Sequence, residues 1–274
     1  MPSHHRLAVA LLVTVGAALL PARAGTVQFT QVSASDDAYD TGQRLIESFK
    51  YNLRGAQRYA ATQTQLTTPE DFDSFAAQWS RANVAQLKYQ WRNATGQPRT
   101  TLYHALSGKA PPAAMGIGET QGDAAYLMPD WHRYYRERNP SVYAHVIENE
   151  SSVLDAIEDF RLPGETIGVG HRYDAEMRGL RTLERDIVQQ HLTSGGRVTL
   201  WTSSPPCQVC RRAMQIMADA YDLDIRVFHL PAPTRDTPQV FRLLQMTKNR
   251  MLRHFHQRVS NERDAPEAPQ CVRP

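Results

Sequence analysis

Two short clusters carry most of the chemistry this chain can offer. One is Asp174-Ala175-Glu176; the other, after thirty intervening residues, is Cys207-Gln208-Val209-Cys210, entered through Pro205-Pro206. Two cysteines three apart on the first turn of a helix bring their sulfurs close enough to share one tetrahedral ion. The positive end of that helix favours the thiolate form that binds metal. Asp174 can supply a third ligand and leave the fourth position to water. Glu176, two residues on, faces the same cleft without reaching the ion, where a carboxylate can shuttle protons. His171, one helical turn earlier, is the alternative to Asp174 as third ligand. The C-x-x-C by itself is also what a disulfide or a redox pair uses. Thioredoxin-like pairs favour an aromatic residue before the first cysteine, and Pro206 stands there instead.

Both clusters need elements to hold them. From Asp174 to about Leu192, apolar residues at Met177, Leu180, Leu183, Ile187 and Val188 share one side of a helix that Ser194-Gly195-Gly196 stops. Arg197 to Thr202 alternates as a strand does, Ser203 to Pro206 turns the chain, and a helix follows from Cys207 to about Tyr221. Asp224 to Leu230 is the next strand. This order predicts an α/β fold with adjacent parallel strands and right-handed crossovers. Upstream, residues 37–60 carry Leu45, Phe49, Leu53, Ala56 and Tyr59 at helical spacing. Thr68-Pro69-Glu70-Asp71 opens another helix, with Phe72, Phe75, Trp79 and Leu87 inward. The turn-rich stretch Asn93 to Pro98 then separates a helical region, residues 25–95, from the rest. Thr100 to Leu106 reads as a strand, and residues 147–160 as a helix.

Asp-x-Glu followed by Pro-Cys-x-x-Cys, on two helices flanking a strand, resembles the zinc-dependent deaminases of the cytidine deaminase superfamily. The bacterial toxin-type members are the nearest in pattern. His171-Arg172-Tyr173-Asp174-Ala175-Glu176-Met177-Arg178-Gly179-Leu180 reads like their first motif, and Tyr103-His104-Ala105-Leu106-Ser107-Gly108 like their first strand. The resemblance covers residues 100–230 and is specific from 171 onward. It implies a three-layer α/β/α domain with a mixed sheet over residues 96–230. It also implies zinc at Asp174, Cys207 and Cys210 (or His171 for Asp174), Glu176 as the catalytic proton shuttle, and His104 and Pro206 against the substrate. The implied reaction is hydrolytic loss of an exocyclic amine from a nucleobase, cytosine first, in nucleic acid or in a free nucleoside or nucleotide. Asp174 departs from the family's usual histidine. Zinc accepts a carboxylate, but the added negative charge makes a bound water less acidic.

The ends of the chain suggest where it works. His4, His5 and Arg6 precede an apolar run, Leu7 to Leu20, and the small-x-small triplet Ala22-Arg23-Ala24. This reads as a signal peptide over residues 1–24 and predicts an exported protein, periplasmic or secreted, with no stable membrane association after cleavage. The run is shorter than the ~20 residues of a spanning helix, though an uncleaved anchor is the alternative. Export fits a toxin-like effector, for which an immunity protein is the expected partner. The net charge of +3 argues for no partner. Its distribution says more, because acids outnumber bases before Phe160 and bases outnumber acids after it. Residues 231–274 hold a basic amphipathic helix and a tail. Between Thr237 and Asn261 there is no acid, while Arg242, Lys248, Arg250, Arg253 and Arg258 are basic and Phe241, Leu244, Met251, Phe255 and Val259 share a face. Arg250, Arg253 and Arg258 are candidate phosphate-backbone contacts; a packed helix with a solvated basic face is the alternative. Three cysteines make no disulfide framework, and Cys271 reads as a bystander.

Overall fold

Strand alternation builds the centre of the molecule. In the computed structural model, which describes residues 25–32, 36–62, 69–108, 141–144, 151–158, 170–232 and 239–263, six strands form one mixed sheet. They are β1 (Thr26–Gln31), β2 (Val84–Arg92), β3 (Pro98–Leu106), β4 (Ser141–Tyr143), β5 (Arg197–Thr202) and β6 (Asp224–His229). Their order across the sheet is β1-β6-β5-β2-β3-β4. β1, β6 and β5 run parallel, β2 is antiparallel to both β5 and β3, and β4 is parallel to β3. The helix-strand-helix-strand reading of the second half holds, with β5 and β6 parallel and adjacent. The signal-like segment 1–24 and Cys271 lie outside the described residues.

Six α-helices are described: α1 (Asp36–Thr62), α2 (Pro69–Arg81), the one-turn α3 (Asp155–Glu158), α4 (Ala175–Val188), α5 (Gln208–Tyr221) and α6 (Gln239–Arg263). α4 and α5 cover one face of the sheet over a core that includes Leu87, Tyr89, Tyr103, Leu180, Leu200 and Val227. α1, α2 and α6 cover the other over Phe49, Phe75, Trp79, Val84, Trp201 and Phe255. The result is a three-layer α/β fold. Each such buried side chain contributes at most about 1.5–3 kcal/mol.

Residues 25–95 are not a separate helical region. They supply α1 and α2 as expected, but also edge strand β1 and β2, which lies in the middle of the sheet. Val84–Arg92 alternates, sending Ala85, Leu87 and Tyr89 into the α4/α5 core and Val84 into the other. Leu87 therefore belongs to a strand, not to the helix of Phe72 and Trp79. β1 sits close against α5: a Cβ on Gly25 would lie 2.1 Å from the Ala218 carbonyl oxygen. Within residues 147–160, the described helix is only α3, after a turn at residues 151–154.

α4 is buried around nearly its whole circumference, beyond the single apolar side its sequence suggests. The segment from Ser152 to Ile157 covers its outer face, and polar side chains make the seal. Arg181, fully buried, reaches Asp155 at 2.9 Å; Glu184 accepts from Ser152 Oγ and from the Val153 amide. Arg178 donates to the carbonyls of Leu106 (3.1 Å) and Gly108 (2.7 Å), tying the helix to the end of β3. These partners offset part of the cost of burying the charged groups and tie the helix that carries Glu176 to its surroundings.

Candidate metal centre

Two helix N-termini meet at the C-terminal end of β5. A short 3-10 turn, His171–Tyr173, leads into α4 with Asp174 as its N-cap, and Cys207 is the N-cap of α5. An N-cap aspartate ordinarily accepts from the amides of the first turn. Asp174 makes no such bond. Its Oδ2 instead lies 3.0 Å from His171 Nδ1, 3.4 Å from Cys210 Sγ and 3.8 Å from Cys207 Sγ. Cys207 Sγ is also 3.8 Å from His171 Nδ1 and accepts from the Cys210 amide at 3.2 Å. His171, Asp174 and Cys207 place one ligand atom each within 4.8 Å of one another, a possible metal-binding group.

The residues present fit such an ion. Tetrahedral ligands at 2.0–2.3 Å stand roughly 3.3–3.8 Å apart, close to the spacings here. Imidazole, carboxylate and thiolate are the donors that zinc takes. The two cysteines are free thiols, Cys210 buried and Cys207 partly exposed. The neighbouring Cys210 thiol, more than any other influence, brings the Cys207 pKa down to about 7, and the Cys210 amide adds to the effect. The proximity of the two thiols, then burial, raises that of Cys210. The positive ends of both helices favour negative charge here. His171 and Asp174, alternatives in sequence, come to the same point, because the 3-10 turn resets the phase before α4 begins.

Glu176 lies inside the protein, 2 % exposed. Its Oε1 accepts from Thr202 Oγ1 at 2.6 Å and from Asn83 Nδ2 at 3.0 Å. Burial raises its pKa above the ordinary carboxyl value, while the Thr202 hydroxyl pulls the other way. The buried Pro206 ends the turn before Cys207, and its carbonyl accepts from Arg211 Nε.

His104 is elsewhere. The ladder pairs Ala85 with both Thr202 and Ala105, so these three face the α4/α5 side and His104, next in β3, faces away. It is buried against α1, stacked on Tyr51 with ring centroids 4.3 Å apart, and its ring nitrogens have no hydrogen-bond partner among the described residues. Burial lowers its pKa to about 3. The sheet thus separates it from the metal-binding group.

On α6, Arg250, Arg253 and Arg258 are exposed. Arg250 and Arg253 line a groove of about 620 Å³ against Phe72, Asp73 and Ala76 of α2. Lys248 departs from its expected place on the basic face. It is 1 % exposed, donates from Nζ to the Ala82 carbonyl at 2.8 Å and stands 5.4 Å from the Phe49 ring. Burial lowers its pKa to about 7.

The sequence reading passes over Asn83, Thr202 and Ser203. Asn83 has no motif around it; only the pairing of β2 with β5 brings it to Glu176. Comparison with known proteins finds no matching family model, no matching curated protein and no matching solved structure.

Proposed function

We propose that the protein is a zinc-dependent hydrolytic deaminase acting on a nucleobase, cytosine first, within nucleic acid. The observation that carries the reading is the placement of a buried carboxyl group, Glu176, two residues past a ligand set of imidazole, carboxylate and thiolate. His171, Asp174 and Cys207 would hold the ion, with Cys210 beside them. When bound, zinc supplies Lewis acidity that makes water a competent nucleophile near neutral pH. Glu176 takes a proton from the attacking water and places it on the ring nitrogen, then carries the remaining proton of the added hydroxyl to the departing amine. Water and an amino-substituted base become an oxo-substituted base and ammonia. The raised pKa of Glu176 suits a group that must both accept and give a proton. The deaminase-like reading of the fold agrees with β5 lying between the two motif helices.

Free nucleosides or nucleotides are the alternative substrates. The exposed arginines of α6 favour nucleic acid, and the signal-like N-terminus favours an exported effector with an immunity partner. A second reading, a redox dithiol, is favoured by one observation: a partly exposed Cys207 with its pKa brought down to about 7 beside a buried Cys210.

Purified protein should carry close to one zinc per chain and release ammonia from cytosine-containing DNA, RNA or cytidine. Adenine substrates serve as the control for base choice. A metal-free protein whose Cys207 and Cys210 cycle between thiols and disulfide, with no ammonia from any substrate, would overturn the proposal in favour of the redox reading.

A further inference from the structure

We infer that Asn83 is the positioning residue of the proton shuttle, holding one oxygen of Glu176 so that the other performs the transfer; the inference rests on the deaminase reading. Asn83 stands between the end of α2 and the start of β2, where each of its polar groups has a partner. Its amide donates to Ser107 Oγ at 2.8 Å, and its carbonyl accepts from the Ser107 amide at 3.0 Å. In the side chain, Oδ1 accepts from Ser203 Oγ at 2.5 Å, while Nδ2 faces Glu176 Oε1 at 3.0 Å and Thr202 Oγ1 at 3.2 Å.

With Oδ1 accepting from Ser203 Oγ, Nδ2 is turned to the carboxyl group, and an amide nitrogen there can only donate. Thr202 Oγ1 donates to the same Oε1 at 2.6 Å, which closes a small ring of Asn83, Thr202 and Glu176. With Oε1 anchored by two donors, Oε2 is the oxygen left to exchange protons. A general base held this way needs no rearrangement as its proton moves, and a displacement on the order of 1 Å can cost about a hundredfold in rate.

The anchor has its own support. Lys248 Nζ holds the carbonyl of Ala82, the residue just before Asn83, at 2.8 Å. The Val84 amide, just after it, donates to Ser203 Oγ at 2.9 Å. Helix α6 therefore reaches the candidate catalytic carboxyl through Ala82 and Asn83.

The test uses two variants of the full zinc-loaded protein. Asn83→Ala removes the side chain, and Asn83→Asp keeps its shape and its acceptor for Ser203 while removing the donor. Both should lower kcat by about 10- to 100-fold with KM and zinc content unchanged. In a Glu176→Gln background, Asn83→Ala should cause no further loss, because it acts through the group already disabled. Equal losses in both backgrounds, or a raised KM with unchanged kcat, would overturn the inference. A readout independent of turnover is the infrared carboxyl band of Glu176, taken as the difference between wild type and Glu176→Gln. It should shift in both Asn83 variants, and a band that stays in place overturns the inference whatever the kinetics. Wild-type protein that releases no ammonia overturns the deaminase reading instead, and the band then decides alone whether Asn83 holds the carboxyl group.

Discussion

Replacing Lys248 with Met should flatten the pH dependence of folding between pH 7 and pH 9. In the native state the ammonium group lies under α2, against the Phe49 ring and the Ala82 carbonyl, and burial lowers its pKa from 10.5 to about 7. Between those two values the unfolded chain binds the proton and the native protein does not. Stability therefore rises with pH through this window, is fully expressed above the unfolded value, and is lost as pH falls through the native one. At about 1.4 kcal/mol per pH unit, with the native lysine half-deprotonated at pH 7, the gain from pH 7 to pH 9 is roughly 2 kcal/mol. For a chain of this size that corresponds to about 4–8 °C in Tm. Met keeps the apolar stem and removes the titration, and it leaves the Ala82 carbonyl without its donor at roughly 1–3 kcal/mol. Urea unfolding of both proteins at pH 7, 8 and 9, with reductant and chelator held constant, makes thiol titration common to the two. The wild-type advantage should widen by about 2 kcal/mol at the higher pH. Parallel pH profiles would refute the buried-lysine reasoning.

Three further outcomes follow from the site and its surroundings. His171→Ala and Asp174→Asn should each weaken zinc binding by at least about tenfold, the loss that outer-shell changes alone already cause, in competition with a chromophoric chelator; an unchanged affinity in either removes that residue from the ligand set. Glu176→Gln keeps an oxygen for Thr202 and Asn83, so it should retain zinc and fold while losing about a hundred- to ten-thousand-fold in deamination. Full activity would place the proton shuttle elsewhere. Neutralising Arg250, Arg253 and Arg258 together should reduce the salt slope of nucleic-acid binding by about 2–3, and an unchanged slope returns α6 to a packing role.

Local signals explain what could be read from sequence. From Asp174 to His229 each element has its own periodicity and its own stop, so the helices and strands fall where the apolar spacing puts them. β2 escapes because α2 runs into it without Gly or Pro: only Ala82 and Asn83 intervene, and Leu87 also fits the helical spacing of Phe75 and Trp79. Lys248 escapes because the arginines of the same helix, Arg242, Arg250, Arg253 and Arg258, are solvated, while its own position on α6 is set by Leu244, Leu252 and Phe255, which turn the same side inward. Asn83 and His104 are decided by strand register, which a single sequence does not carry. A shift of one residue exchanges the faces, and the observed pairing of Ala85 with Thr202 puts Asn83 beside Glu176 and His104 behind the sheet.

The capping geometry bears most directly on the choice between a metal and a disulfide at the two cysteines. Asp174 and Cys207 both stand where a side chain ordinarily caps a helix. Cys207 does so, weakly, through its sulfur; Asp174 forgoes a bond whose loss typically costs about 1 kcal/mol. In return its carboxylate sits against an imidazole and two thiols, in a place where two helix ends already concentrate positive potential. A Cys207–Cys210 disulfide would leave that carboxylate with His171, at 3.0 Å, as its one partner in place of the cap. A cation among the three groups would add a further partner, since it would compensate the carboxylate and a thiolate together and use the imidazole that the 3-10 turn brings to the same point. On the zinc proposal the lost cap is the local cost of a ligand, and zinc binding should be most sensitive to Asp174, the residue that gave it up.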